Sequence, residues 1–324
     1  MQMHPVIRRF AVLLFALVFQ STAMAQSYPG RLVKIIVPFP PGAGADTTVR
    51  LFTPKFTEQT GQQFIVDNRA GAAGNIGVEA AARAPADGYN LLVITGSLPT
   101  SISLYKDLRF DLVRDFAPIA MLATTPFVMV VHPSVPAKTV KEFIAHAKAN
   151  PGKINFASTG TGGINHLAGE LFKSMAGVDM VHVPYKGTST AVPDLVAGNV
   201  SLMFSSTVAS LSLARAGKLR ALAVSTAERT QAAPELPTVS EAGVPGYDCA
   251  SLFALFTPTG TPRDIVTQLN GMVNRTAQVP EVRDALLRQG AEPQAMTPEQ
   301  LAAYVKNEIA KWAKIVALAS VKLE

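Results

Sequence analysis

The stretch Val37-Pro38-Phe39-Pro40-Pro41-Gly42-Ala43-Gly44-Ala45-Asp46 constrains this chain more than any other. It follows a short apolar run, residues 32–37, and leads into a segment where Val49, Phe52 and Phe56 recur at helical spacing. A strand that ends in a proline–glycine loop and runs into a helix puts the helix's first, unpartnered N–H groups at the strand end, where an anion can use them. Gly42 and Gly44 let the backbone come close to a ligand. Asp46 suits the N-cap, its side chain accepting from the next turn. The same arrangement also serves as a plain strand-to-helix turn. A second loop of the same kind, facing the first, is what would make it a site.

The rest of the chain alternates in the same way. A strand is expected at 63–66, then the glycine-rich entry Asn68-Arg69-Ala70-Gly71-Ala72-Ala73-Gly74-Asn75-Ile76-Gly77 into a helix, then a strand at 90–95 ending in Gly96-Ser97. This βαβαβ unit implies a parallel sheet with helices on both faces. A polar stretch follows, and two separate strands are expected at 117–123 and 127–131 across Thr124-Thr125-Pro126. A second cycle begins with a helix at 138–149 and a strand at 153–157. It continues through the loop Ser158-Thr159-Gly160-Thr161-Gly162-Gly163 into a helix with Ile164, Leu167, Leu171 and Met175 at apolar spacing. A strand at 180–183 runs to Pro184-Tyr185-Lys186-Gly187; a helix at 191–197 and strands at 200–204 and 219–224 follow. Amphipathic helices are expected at 263–277, 281–288 and 299–317.

Two α/β units therefore each present a glycine-rich turn at a strand's carboxyl end, where open α/β sheets collect ligands. If the units face each other, the turns become the jaws of one cleft. The late helices would return to the first unit. The expected division is 26–123 plus 226–324 for one domain and 124–225 for the other, two doubly wound sheets joined by a two-crossover hinge.

Residues 1–25 read as a secretory signal peptide. Arg8 and Arg9 precede an unbroken apolar run at 10–19, and Ala23-Met24-Ala25 gives a small-x-small cleavage pattern with cleavage after Ala25. The run is too short to span a bilayer. An exported chain with Cys249 as its one cysteine has no internal disulfide, so its cores must be large enough to hold it without staples. A length of 324 residues fits two ordinary domains. The 29 basic residues against 23 acidic ones are scattered and form no patch, which argues against nucleic acid.

Catalysis has little support. There is no G-x-S-x-G elbow, and Ala157-Ser158-Thr159-Gly160 fails that pattern. Ser103-Leu104-Tyr105-Lys106 matches a serine-x-x-lysine spacing, but its surroundings read as a loop and not a helix start. No Walker loop or dinucleotide fingerprint stands in its proper context. His132, His146, His166 and His182 are dispersed without metal-ligand spacing. No cofactor and no metal are expected.

Further segments carry a resemblance that runs nearly end to end: Asp67-Asn68-Arg69-Ala70-Gly71, Asp87-Gly88-Tyr89, Asp115-Phe116-Ala117-Pro118, His166-Leu167, Val183-Pro184-Tyr185-Lys186-Gly187, Gly217-Lys218-Leu219-Arg220-Ala221-Leu222-Ala223, and Pro237-Thr238 with Glu241-Ala242-Gly243. With the opening loop, in this order and spacing, the chain resembles the Bug (Bordetella uptake gene) or TctC family, the extracytoplasmic solute receptors of tripartite tricarboxylate transporters. The resemblance implies a periplasmic, monomeric, two-domain Venus-flytrap receptor that closes on a small organic carboxylate. Its partners would be membrane transporter subunits; a receptor feeding a membrane sensor kinase is the alternative, and a hydrolase on an α/β scaffold the remaining rival.

In that family one ligand carboxylate is held largely through ordered waters, between the loop here formed by Phe39, Gly42, Gly44, Ala45 and Asp46 and the one formed by Ser158, Thr159, Gly160, Gly162 and Gly163. Ser97, Tyr185 and Ser205 would lie further along the cleft. His166, one turn into the helix, serves either as a ligand contact or to order the loop. The chain departs from the family at Leu98, at Ser205-Ser206-Thr207, where many members carry an acid or amide, and at Leu252, where a tryptophan is common. Without an acid near Ser205, a ligand ammonium would be buried unpaired, a costly outcome. The expected ligand is therefore a non-amino carboxylate or dicarboxylate.

Overall fold

The computed structural model describes residues 28–105 and 107–318; the expected signal peptide and its cleavage site lie outside them. Strands β1 (Val33–Val37), β2 (Phe64–Asn68) and β3 (Asn90–Thr95) form a parallel triple in the order β2-β1-β3. Helices α1 (Gly44–Thr60) and α2 (Asn75–Ala82) are its crossovers. β3 is apolar on both faces and buried along nearly its whole length, as a strand covered by helices on each side requires.

The second cycle repeats this plan. It comprises α4 (Val140–Ala149), β5 (Ile154–Ser158), α5 (Ile164–Ala176), β6 (Met180–Pro184), α6 (Thr188–Ala197) and β7 (Leu202–Ser206), with β6-β5-β7 again parallel. α7 (Thr207–Arg215), β8 (Arg220–Val224) and β9 (Ala250–Pro258) follow, then α8 (Arg263–Ala277), α9 (Pro280–Arg288) and α10 (Pro298–Leu318).

The two halves of the sheet are joined by one strand where two were expected. β4 (Phe116–Val131) is 16 residues long and continuous through Thr124-Thr125-Pro126. Its first part pairs antiparallel with β9, its last part with β7 and β8 on opposite sides. The ladder with β9 shifts register twice, and the last pair matches Pro126, which has no N–H to donate, with Ala250. β-branched and apolar residues on both sides keep the segment extended, so the threonines and proline do not end the strand.

A second difference is α3 (Ser97–Leu104), where a loop was expected. Its sequence is rich in Ser and Thr, which masks the helical pattern. Thr100 Oγ1 and Ser101 Oγ both donate back to the Ser97 carbonyl, at 2.7 and 2.8 Å.

Each half of the sheet has a core on both faces. In the first half, α1, α8 and α9 cover Val33, Ile35 and Leu91, while α2, α3 and the start of α10 cover Ile36, Leu92 and Ile94. In the second, α4 and α5 cover Met129, Phe156 and Phe204, and α6 and α7 cover Val128, Val130 and Met203. α10 belongs to both halves. Leu301 and Val305 pack in the first half, but Trp312, Ile315 and Val316 pack with Phe156, Phe172 and Tyr247 in the second.

Where the chain crosses back, buried Ser225 ties the strands together. Its N–H donates to Phe127 O (2.8 Å), its hydroxyl accepts from Phe127 N (2.9 Å), and its carbonyl accepts from Cys249 N (2.8 Å). Cys249 is free and fully buried, and burial pushes its thiol pKa up. Among the described residues no helix is long and apolar enough to cross a membrane.

Candidate functional site

The loops after β1 and β5 are built alike. In the first, Ala43 N–H donates to Pro40 O (3.2 Å) and Thr47 N–H to Ala43 O (2.9 Å); in the second, Gly163 N–H donates to Gly160 O (3.3 Å) and Leu167 N–H to Gly163 O (3.0 Å). The residues before the helices, Ala43 and Gly163, have nearly the same backbone angles, φ −67° with ψ 158° and 155°. Gly42 and Gly162 sit at φ +82° and +78°, a region that favours glycine. Each donates its N–H to a side chain four residues on: Gly42 to Asp46 Oδ2 (2.8 Å), and Gly162 to His166 Nδ1 (3.0 Å). The first N–H groups of α1 and α5 are left without helical acceptors, as at any helix start.

This corrects the reading of Asp46. The helix begins two residues before it, so Asp46 is not the N-cap but the third helical residue. Its carboxylate also accepts from Arg50 Nε (2.9 Å) and Asn68 Nδ2 (3.0 Å), and its side chain is only 3% exposed. Burial alone would raise its pKa, but the donors from Arg50, Gly42 and Asn68 outweigh that and hold the carboxyl below its ordinary value. With its oxygens engaged by protein donors, Asp46 shapes the loop.

His166 does the corresponding work in the second loop. It is buried, and because Nδ1 accepts from Gly162, the ring proton sits on Nε2, which faces Glu170 Oε1 at 3.8 Å. Its ring stacks on His182 with centroids 3.7 Å apart, and Phe156 lies against both, 5.1 Å from His182 and 6.1 Å from His166. His182 Nε2 is 2.6 Å from Ser158 Oγ. That hydroxyl donates to Gly160 O and accepts from Gly160 N–H, both at 3.1 Å. Ser158 is fully buried, so in this shape it braces the loop from beneath. Burial, with the positive charges of a protonated His182 and of Lys173, pushes the His166 pKa down to about 3. Burial and Lys173 push that of His182 down to about 4.

Both imidazoles are therefore neutral at neutral pH, and the unfolded chain, with histidines near 6.5, takes up protons first as pH falls. The stability that depends on the neutral pair is complete above about pH 7 and declines through 6.5, until the folded protein itself protonates near 3–4. Each imidazole contributes a slope of at most about 1.4 kcal/mol per pH unit. The unfolding midpoint is expected to be lower at pH 5 than at pH 7, and NMR titration should find neither ring protonated at pH 5. An ordinary histidine pKa for either ring would contradict the arrangement.

The other expected residues are placed as follows. Thr159 Oγ1 donates to Asn165 Oδ1 (3.0 Å), and Ser97 Oγ lies 2.7 Å from Thr95 Oγ1. Tyr185 OH donates to Asp194 Oδ2 (2.7 Å); burial, with that acid, pushes the phenol up to about 12. Ser205 Oγ is buried and has no hydrogen-bond partner. Phe39 is half-buried against the core of the first half, its carbonyl accepting from Asn68 Nδ2 (3.0 Å). Gly42 and Gly44 are accessible at their loop, Gly160 and Gly163 are half-buried, and Ala45 and Gly162 are buried.

A cavity of about 350 Å³ opens between the two halves of the sheet. It brings Gly44 and Thr47 of α1 together with Thr125 of β4, Ser206 of β7, Phe253 of β9 and Arg288 of α9. Of the expected site it contains Gly44 and the neighbour of Ser205; the loop 158–163 does not line it. Sequence reasoning missed Thr47, Thr125, Phe253 and Arg288. Helical spacing offers Thr47 as one turn beyond Gly44, but no local pattern points to the others. Among the described residues no group of three His, Cys, Asp or Glu side chains could hold a metal ion.

The family model of the tripartite tricarboxylate transporter family receptor, TctC, matches residues 48–320. Protein BugT of Bordetella pertussis is 36% identical over 302 residues, spanning 93% of each chain. An R. palustris protein solved with adipate is 38% identical at a TM-score of 0.75, covering 91% of this chain and 99% of that one. A TctC solute binding protein from Polaromonas, solved with no ligand, is 28% identical at a TM-score of 0.82, covering 90% and 99%. Its loops, its fold and these matches agree: the chain belongs to the TctC family of tripartite tricarboxylate transporter receptors.

Proposed function

We propose that this chain is an exported, periplasmic receptor that captures a small dicarboxylate between the two halves of its sheet and delivers it to the membrane subunits of a tripartite transporter. The observation that carries this reading is the cavity between the halves, where the first turn of α1 meets the turn from β7 into α7. A carboxylate placed at the start of α1 meets N–H groups that have no other partner and a favourable dipole. We take the lobes to divide near Thr124–Pro126 and Ser225, with loop 39–46 and loop 158–163 brought together when they close. The backbone matches the ligand-free Polaromonas receptor better than the adipate complex despite lower identity, which supports reading this shape as the open state. Adipate on a related receptor supports the dicarboxylate class.

The cavity offers no acid to pair a ligand ammonium, so acidic amino acids should bind less tightly than adipate or succinate. The test is a thermal-shift screen on protein unfolded and refolded to strip carried ligand. A ligand at 100 times its Kd adds about 2.7 kcal/mol of stability. A clear upward shift with dicarboxylates is expected. No shift with any mono-, di- or tricarboxylate would end the reading, and tighter binding of aspartate or glutamate by calorimetry would end the preference.

A further inference from the structure

We propose that Arg288 reads the second carboxylate of the ligand. The inference rests on the dicarboxylate reading above and assigns the residue that would make it selective. Arg288 is the last residue of α9 and is exposed. It is the one charged residue lining the cavity between the halves, and among the described residues it forms no ion pair.

The turn that carries it is pinned to both halves. Thr47 Oγ1 of α1 shares its one hydrogen between Gly44 O (3.2 Å) and Gln289 Oε1 (3.5 Å), and Thr207 Oγ1 of α7 donates to Gly290 O (3.3 Å). The next step of the chain is fixed as well, since Glu292 exchanges backbone hydrogen bonds with Thr124 of β4 at 2.7 and 2.9 Å. The guanidinium therefore hangs from a braced segment, on a side chain long enough to reach inward.

The chemistry of the walls fits the same ligand. Gly44 and Thr47 lie at the start of α1, where one carboxylate can accept backbone N–H bonds. Phe253 and Val208 line the same space and offer apolar surface to a methylene chain. A second carboxylate carried in at the far end must leave water, which is costly unless a cation meets it. Arginine is suited to this because its planar fork can bind both carboxylate oxygens at once. Arg288 also lines an adjoining space of about 310 Å³ beside α7 with Arg215, so it has room to swing between an outer and an inner position.

The experiment compares adipate with hexanoate, which has the same chain and one acid, by calorimetry on wild type, Arg288→Gln and Arg288→Lys. Wild type should prefer adipate. Arg288→Gln should lose at least about tenfold in adipate affinity, roughly one charge-assisted hydrogen bond's worth, while hexanoate binding stays within twofold. Arg288→Lys should recover part of the loss. Unchanged melting of the ligand-free variants establishes that they fold. Equal adipate binding by wild type and Arg288→Gln would overturn the assignment, as would an equal fall for both acids. If wild type itself binds neither acid, the dicarboxylate reading fails and takes this assignment with it, an outcome visible without any variant.

Discussion

Trp312→Ala is expected to lower stability by about 3–5 kcal/mol, the range for removing a large buried aromatic. Trp312 is the largest fully buried side chain, and it sits where α10 passes from the core of one half of the sheet to that of the other. Its Nε1–H donates to Glu308 Oε2 (2.8 Å), and Lys311 pairs with the same carboxyl while donating to Asp248 O (3.0 Å). Burial raises the Glu308 pKa, although Lys311 and Trp312 work against that rise. Removing the indole thus leaves both a cavity and an acid short of a donor. Trp312→Phe keeps most of the volume and loses only the donor, so it should cost about 1–3 kcal/mol. Denaturant unfolding of both variants checks the order. A loss below about 1 kcal/mol for alanine would mean that α10 does not fasten the two halves.

Asp46→Ala is expected to weaken carboxylate binding by at least about tenfold, although it removes a negative charge near an anion site. If Asp46 merely repelled the ligand, its removal would tighten binding. The geometry predicts the opposite. The carboxylate fixes Gly42, Arg50 and Asn68 together, and its loss removes three hydrogen bonds, each with a net worth of about 0.5–1.5 kcal/mol, or more where the donor is charged. The loop would relax to satisfy the freed donors, and the N–H groups at the start of α1 would no longer converge. Calorimetric titration with adipate separates the two: weaker binding supports the loop-shaping role, and tighter binding contradicts it.

Much of this architecture is visible in the chain because glycine and proline punctuate it. The strands at 32–37 and 90–95, the loops after β1 and β5 and the three late helices follow from periodicity and turn chemistry. What is less visible depends on contacts between distant segments. The shared construction of the two loops has a local trace, a glycine followed four residues later by a polar side chain, Gly42 with Asp46 and Gly162 with His166. That trace has meaning only once the side chains are known to be buried.

His182 could not be singled out, because its role comes from the register of β6 on β5, which sets it opposite Phe156 and within reach of Ser158. The turn-like triplet Thr124-Thr125-Pro126 does not break β4, because pairing with β9 continues through it as far as Pro126, where β7 takes over at Phe127. The cavity is the least legible feature. Thr47 and Gln289 meet across 242 positions of sequence, and neither carries a local mark of the other.

The proposed binding mode puts a dicarboxylate between the two halves with one acid group at the start of α1. A crystal structure of the refolded protein with adipate tests it most directly. One carboxylate is expected within hydrogen-bond reach, directly or through a single water, of the first N–H groups of α1, with loop 158–163 moved in against it. Adipate bound away from the space between the halves, or bound there with neither acid group near α1, would contradict it.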